Sequence, residues 1–144
     1  MIPEGRRFVE QDRLLDRATV GPTWLSRPEI ADCVVGALRD EPANLDLHAF
    51  VIMPNHVHIL ITPRIELPEI TTRIKGKSAR QANAILNRTG QPFWQDESFD
   101  HWVRSPHQFE KMKSYIELNP VRAGLALTPE QWRYSSAALC STGR

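Results

Sequence analysis

Two short apolar runs separated by a Pro-Asn pair constrain the fold of this chain more than any other feature. His48-Ala-Phe-Val-Ile-Met53 and His56-Val-His-Ile-Leu-Ile-Thr62 are rich in residues that favour strands, and Pro54-Asn55 between them suits a tight turn. The pattern predicts an antiparallel hairpin.

The flanking segments read as helices. One is expected from near Ser26 as N-cap, with Pro28 in its first turn and Ile30, Val34, Val35 and Leu38 as one apolar stripe. A longer one runs from about Leu67 to Asn87, with Ile70, Ile74, Ile85 and Leu86 as core candidates. Gly90-Gln-Pro-Phe-Trp-Gln95 reads as a turn into a short strand. The last helix is expected from about Ser105 to Asn119, where Pro120 stops it. Helix, hairpin, helix, short strand, helix is the order of an α+β sandwich, with helices on an antiparallel sheet. No repeat, low-complexity tract or linker divides the 144 residues, so residues 1–144 read as a single domain.

Composition excludes some classes. With 41% hydrophobic and 24% charged residues the chain matches a soluble globular protein, and no apolar run approaches a membrane span. Nothing near Met1 looks like a secretory signal. Cys33 and Cys140 form no metal-ligand or redox spacing, so a reduced cytoplasmic location is expected. The net charge of +1 hides an asymmetry: residues 1–60 hold 6 Lys/Arg against 9 Asp/Glu, and residues 61–144 hold 12 against 8. Arg73, Lys75, Lys77, Arg80 and Arg88 follow one another with no acid between them, a block able to neutralise phosphates. On charge alone, the simpler account of that block is a solvated helix face.

Two constellations could do chemistry. His56 and His58 flank Val57 on a predicted strand, so their imidazoles share one face and can share one metal ion. Tyr115 and Asn119, four residues apart on a predicted helix, lie one turn apart on one face. The amide oxygen could then be a third ligand and the phenolic oxygen a nucleophile. The ordinary account has Tyr115 packing with Met112 and Ile116 and Asn119 capping the helix before Pro120; taken alone, the helix favours it. Gly76-Lys77-Ser78 lacks the first glycine of a P-loop, and neither a zinc-protease helix nor a Gly-x-Ser-x-Gly elbow occurs. Trp94, Trp102, Trp132 and Tyr134 could stack on bases but more often anchor a core.

Taken together, Met53-Pro-Asn-His-Val-His58 and Tyr115-Ile-Glu-Leu-Asn-Pro-Val-Arg-Ala-Gly124 resemble the single-tyrosine HUH transposases, particularly the REP-associated tyrosine transposase branch. Ile74-Lys-Gly-Lys-Ser-Ala-Arg80, Phe93-Trp-Gln-Asp-Glu-Ser-Phe-Asp-His101 and Trp132-Arg-Tyr-Ser-Ser136 are lesser matches, in the same order from about residue 14 to residue 137. The resemblance implies a ferredoxin-like antiparallel sheet with helices on one face and the histidine pair on a sheet strand. It makes His56, His58 and Asn119 the ligands of Mg²⁺ or Mn²⁺ and Tyr115 the nucleophile that forms a 5′-phosphotyrosine. It also implies single-stranded or hairpin DNA as partner, contacted by Arg73, Lys75, Lys77, Arg80 and Arg88. The protein would be a monomer or homodimer in the cytoplasm, beside the nucleoid.

The family usually carries a strand before the region matching Arg13-Leu-Leu-Asp16, whereas residues 1–12 have no strand-like run. The expectation is therefore a sheet whose first strand is missing, with unpaired backbone groups beside the histidine strand. A relative that binds DNA hairpins without cutting them is the alternative reading. A metallohydrolase with a water nucleophile gains little, because no carboxylate set is evident near the histidines and Tyr115 would have no role.

Overall fold

A computed structural model describes residues 23–95 and 98–141. A 3-10 turn, Trp24–Ser26, leads into helix α1 (Pro28–Arg39); strands β1 (Leu45–Ile52) and β2 (Val57–Pro63) form the hairpin. Helix α2 (Leu67–Leu86) crosses to strand β3 (Phe99–Val103), and α3 (Phe109–Glu117), α4 (Asn119–Arg122) and α5 (Ser136–Ser141) follow. No helix among the described residues is long and apolar enough to cross a membrane.

The class is α+β, as the element order predicts. The sheet order is β1-β2-β3, with β1 antiparallel to β2 and β2 parallel to β3. The sheet is therefore mixed rather than wholly antiparallel. The cause is the connection: a two-residue turn reverses the chain, whereas a helical crossover returns it to the same end of the sheet. In a ferredoxin-like split β-α-β unit another strand would separate β2 from β3. Here, consistent with a ferredoxin-like sheet that lacks its first strand, the two pair directly from Val57–Phe99 to Ile61–Val103, and the Val57 and Arg104 amides extend the ladder to the Ser98 and Ile61 carbonyls. The expected unpaired edge beside the histidine strand is thus filled by β3. Residues 1–12, where the missing strand was expected, lie outside the described residues.

Helices cover both faces of the sheet, not one. Phe50, Ile52, Val57, Ile59 and Ile61 pack with Ile30, Val34 and Leu38 of α1 and with Ile70 and Ile74 of α2. On the other face Ala49, Val51, Met53 and Leu60 pack with Met112 and Ile116 of α3. The reason is legible in β2, where every residue from Val57 to Ile61 is buried. A strand without a polar face must be covered twice.

Local boundaries shift for similar reasons. The last helix does not run from Ser105 to Asn119: α3 starts at Phe109 and ends at Glu117, with Leu118 as its cap. Pro120 cannot donate to the Ile116 carbonyl, so the chain restarts as α4 with Pro120 in the first turn, where no donor is needed. Ile85, expected in the core, is 44% exposed. On the outer edge of β1, the Ile52 amide donates to the Tyr134 carbonyl (2.9 Å) and the Phe50 amide to Ser136 Oγ (3.1 Å), so the chain near α5 closes half of that edge.

Candidate functional site

The site is built where the turn enters β2. His56 directly precedes the strand, and its carbonyl accepts from the Met53 amide at 2.8 Å, which closes the Pro54-Asn55 turn. Period-two alternation then puts His58 on the α3 face beside Leu60, while Val57 and Ile59 enter the opposite core. The imidazoles of His56 and His58 lie 4.7 Å apart, centre to centre, at 69°. Both are almost fully buried.

Each ring meets an oxygen at Nδ1. Asn55 Oδ1 lies 2.6 Å from His56 Nδ1, and Asp100 Oδ2 lies 3.8 Å from His58 Nδ1. Asp100 is the residue paired with His58 across the parallel ladder, so the register of β3 puts it there. That carboxylate was invisible in the sequence, because nothing local announces that residue 100 pairs with residue 58.

Tyr115 comes from the next layer. Met112 and Ile116 anchor α3 on the sheet and leave Tyr115 at the flank of that cluster. Its ring stacks on Trp102 at 6.2 Å and 7°, and the Arg122 guanidinium covers it at 4.0 Å. Trp102 and Asp100 are two apart on β3 and share a face. The contacts of Tyr115 and of His58 are thus separated by one strand repeat, roughly 7 Å.

Asn119 is fully buried at the junction of α3 and α4, where Leu118 and not Asn119 is the capping residue. The ordinary account of Asn119 as a helix cap therefore does not hold. Two buried imidazoles and a buried amide oxygen are the donor types of a neutral N,N,O set, which suits a divalent cation. Among the described residues no cluster of three or more His, Cys, Asp or Glu side chains has metal-binding geometry. A histidine pair completed by an amide falls outside that description, so the donor chemistry fits.

The basic block lies elsewhere. Arg73, Lys75, Lys77 and Arg80 ride on α2, which packs with α1 on the face opposite α3. Arg73 Nε donates to Glu41 Oε1 at 2.8 Å, and Lys77 is paired with Asp40. The hydrogen bond from Arg73 is the main reason the Glu41 carboxyl sits below its ordinary value. Arg88, just past α2, covers the Trp24 ring at 4.5 Å and donates to the Pro92 carbonyl.

Of the aromatic residues, Trp94 and Trp132 act as anchors: their Nε1 groups donate to Ser78 Oγ (3.0 Å) and to the Ile52 carbonyl (2.9 Å). A groove of about 670 Å³ follows the outer edge of β1 past Leu45, His48, Ala49 and Arg64. Its lining includes neither His56 nor His58, so it is the uncovered half of an edge strand rather than part of this site.

Comparison with known proteins adds a lineage. The profile of a family described as "Transposase IS200 like" matches residues 35–119. Over 104 residues the chain is 24% identical to a REP-associated tyrosine transposase of Escherichia coli, covering 72% of this chain and 59% of that protein. Over 70 residues it is 33% identical to the ISDra2 transposase TnpA of Deinococcus radiodurans, covering 46% of this chain and 50% of that protein. The chain thus spans between half and three fifths of the length of these relatives. No solved structure matches it.

Proposed function

As the chain belongs to the family of IS200-like transposases, we propose that it cuts and rejoins single-stranded or hairpin DNA through a covalent phosphotyrosine. Tyr115 is the nucleophile, and His56, His58 and the Asn119 amide oxygen hold a divalent cation, Mg²⁺ or Mn²⁺. The observation that carries this reading is the shared face of β3, where Asp100 stands against His58 and Trp102 against Tyr115. Partners of the nucleophile and of the histidine pair that lie one strand repeat apart on one face support their addressing one phosphodiester.

The phenolic oxygen of Tyr115 attacks phosphorus and the P–O3′ bond breaks. The 3′ oxygen leaves and takes up a proton, and the phenolic proton passes to solvent. The 5′ phosphate stays on Tyr115 as a phosphodiester, so its bond energy is kept and a 3′-OH of another strand can reverse the step without ATP. His56, His58 and Asn119 would hold the cation, which when bound would supply polarisation of the phosphate and offset charge growing on its oxygens. Two imidazole donors suit Mn²⁺ better than Mg²⁺. Trp102 stacks on the phenol ring and the Arg122 guanidinium lies over it, and these contacts reduce the orientations it samples before attack. Arg73, Lys75, Lys77, Arg80 and Arg88, on the far side of the sheet, would hold a second stretch of the same DNA by its backbone. The protein would work in the cytoplasm at the nucleoid, as a monomer or homodimer.

The test is a denaturing gel with labelled hairpins and Mn²⁺. A metal-dependent protein–DNA adduct that disappears in Tyr115→Phe while hairpin binding persists is the expected result. An adduct that survives in Tyr115→Phe refutes the role of Tyr115. Hairpin binding without any adduct, across a panel of related hairpins, favours the non-catalytic binder.

A further inference from the structure

The two histidines differ in their surroundings but agree in one respect: each turns Nδ1 toward an oxygen. At His56 that oxygen is the Asn55 amide, 2.6 Å away and well inside hydrogen-bond range. An amide oxygen only accepts, so Nδ1 must carry the proton. At His58 it is the Asp100 carboxylate, 3.8 Å away, beyond hydrogen-bond range but close enough for its charge to act, and set opposite by the β2–β3 register. A lone pair on Nδ1 would face anionic oxygen and be repelled, whereas an N–H is attracted. The same tautomer results by two routes. In a neutral imidazole with its proton on Nδ1, the lone pair sits on Nε2.

We propose that Asn55 and Asp100 are positioning residues that lock His56 and His58 in the Nδ1–H tautomer, so that both Nε2 atoms serve as the donors of the cation site. The cation half of this statement rests on the function proposed above; the tautomer half does not. The rings are too buried for solvent to orient them. Without the Asn55 acceptor at His56 or the Asp100 charge at His58, the ring can flip and present the protonated nitrogen to the site, which removes a ligand. Oxygen acceptors behind metal-binding histidines typically change metal affinity by about 10- to 100-fold. Asp100 also supplies a negative charge behind a neutral donor set without being placed as a ligand itself.

The first experiment uses the full chain, metal-free and labelled with ¹⁵N-histidine, at a pH where imidazoles are neutral. Long-range proton–nitrogen correlations, assigned with single histidine variants, should give the Nδ1–H pattern for His56 and His58. Asn55→Ala and Asp100→Ala should each mix or invert the pattern of their own partner ring. Asn55→Asp, which keeps the acceptor and so controls for folding, should retain it. Mn²⁺ titration followed by electron paramagnetic resonance should then show about 10- to 100-fold weaker binding in each alanine variant and near-parent binding in Asn55→Asp. A proton on Nε2 of either ring in the parent overturns the proposal. So do unchanged tautomers in both alanine variants, or Mn²⁺ affinities within about threefold of the parent. If the tautomers behave as stated but the parent binds no Mn²⁺, the positioning roles stand and the cation reading fails.

Discussion

The α3 face of the sheet makes a quantitative demand on Ile116. This side chain is fully buried among Ala49, Val51, Met53, Leu60 and Met112, and it ties the helix carrying Tyr115 to the strands carrying His58. Truncation to alanine removes its methyl and methylene contacts and leaves a void that a five-residue cluster can fill only in part. Buried Ile→Ala changes cost about 2–5 kcal/mol. For a chain of 144 residues, an unfolding entropy of about 2.1 cal/mol/K per residue makes each kcal/mol worth about 3 °C, so Tm should fall by about 6–15 °C. Ile116→Val, which removes one methylene, should cost about 0.5–1.5 kcal/mol, or about 2–5 °C. Leu127, 85% exposed, serves as the control, and its change to alanine should stay within about 0.5 kcal/mol. Thermal melts followed by circular dichroism read all three. The reasoning is refuted if Ile116→Ala costs no more than Leu127→Ala, because α3 would then not be packed on the sheet.

Two further outcomes follow from contacts on the sheet. Trp102→Ala removes the stacked partner of Tyr115; an aromatic pair contributes about 0.5–1.5 kcal/mol, so adduct formation should slow by about 2- to 10-fold with hairpin binding unchanged, as single-turnover rates would show. An unchanged rate would show that the stack does not orient the phenol. His48 Nε2 bonds Thr62 Oγ1 at 2.6 Å, and burial, aided by the Arg104 guanidinium and opposed by Asp46, pushes its imidazole below the ordinary value. The unfolded chain then binds more protons than the folded one, so this contribution is present above the unfolded value near 6.5 and is lost as pH falls through and below it. Denaturant melts from pH 7.5 to 5 should show a smaller loss of stability in His48→Gln than in the parent, and an identical loss would contradict the assignment.

The hairpin, the helices and the two chemical motifs were legible because they are local. Strand-favouring residues around Pro54-Asn55 fix a reversal whatever else the chain does, and the spacing from His56 to His58 settles their shared face through strand geometry alone. The spacing from Tyr115 to Asn119 made a similar suggestion about one helix face, although the break at Leu118 puts Asn119 in a separate helical turn. Which partners complete those motifs was not legible. Asp100 reaches His58 only because a helical crossover brings β3 parallel and in register with β2, a pairing made across 42 residues by packing rather than by anything near either residue. Trp102 comes under Tyr115 for the same reason.

The sequence by itself therefore determined the element types, the α+β class and the residues with chemical potential, since each follows from short-range periodicity and side-chain identity. Tertiary structure decided the rest. The continuous burial of β2 required helices on both faces, and direct β2–β3 pairing closed an edge that was expected to stay open. The same packing put the basic residues of α2 on the face away from Tyr115, with Arg73 and Lys77 already held by Glu41 and Asp40. Charge order along a chain says that cations are neighbours on a helix; which side of the sheet that helix covers is settled only when its apolar stripe finds a core.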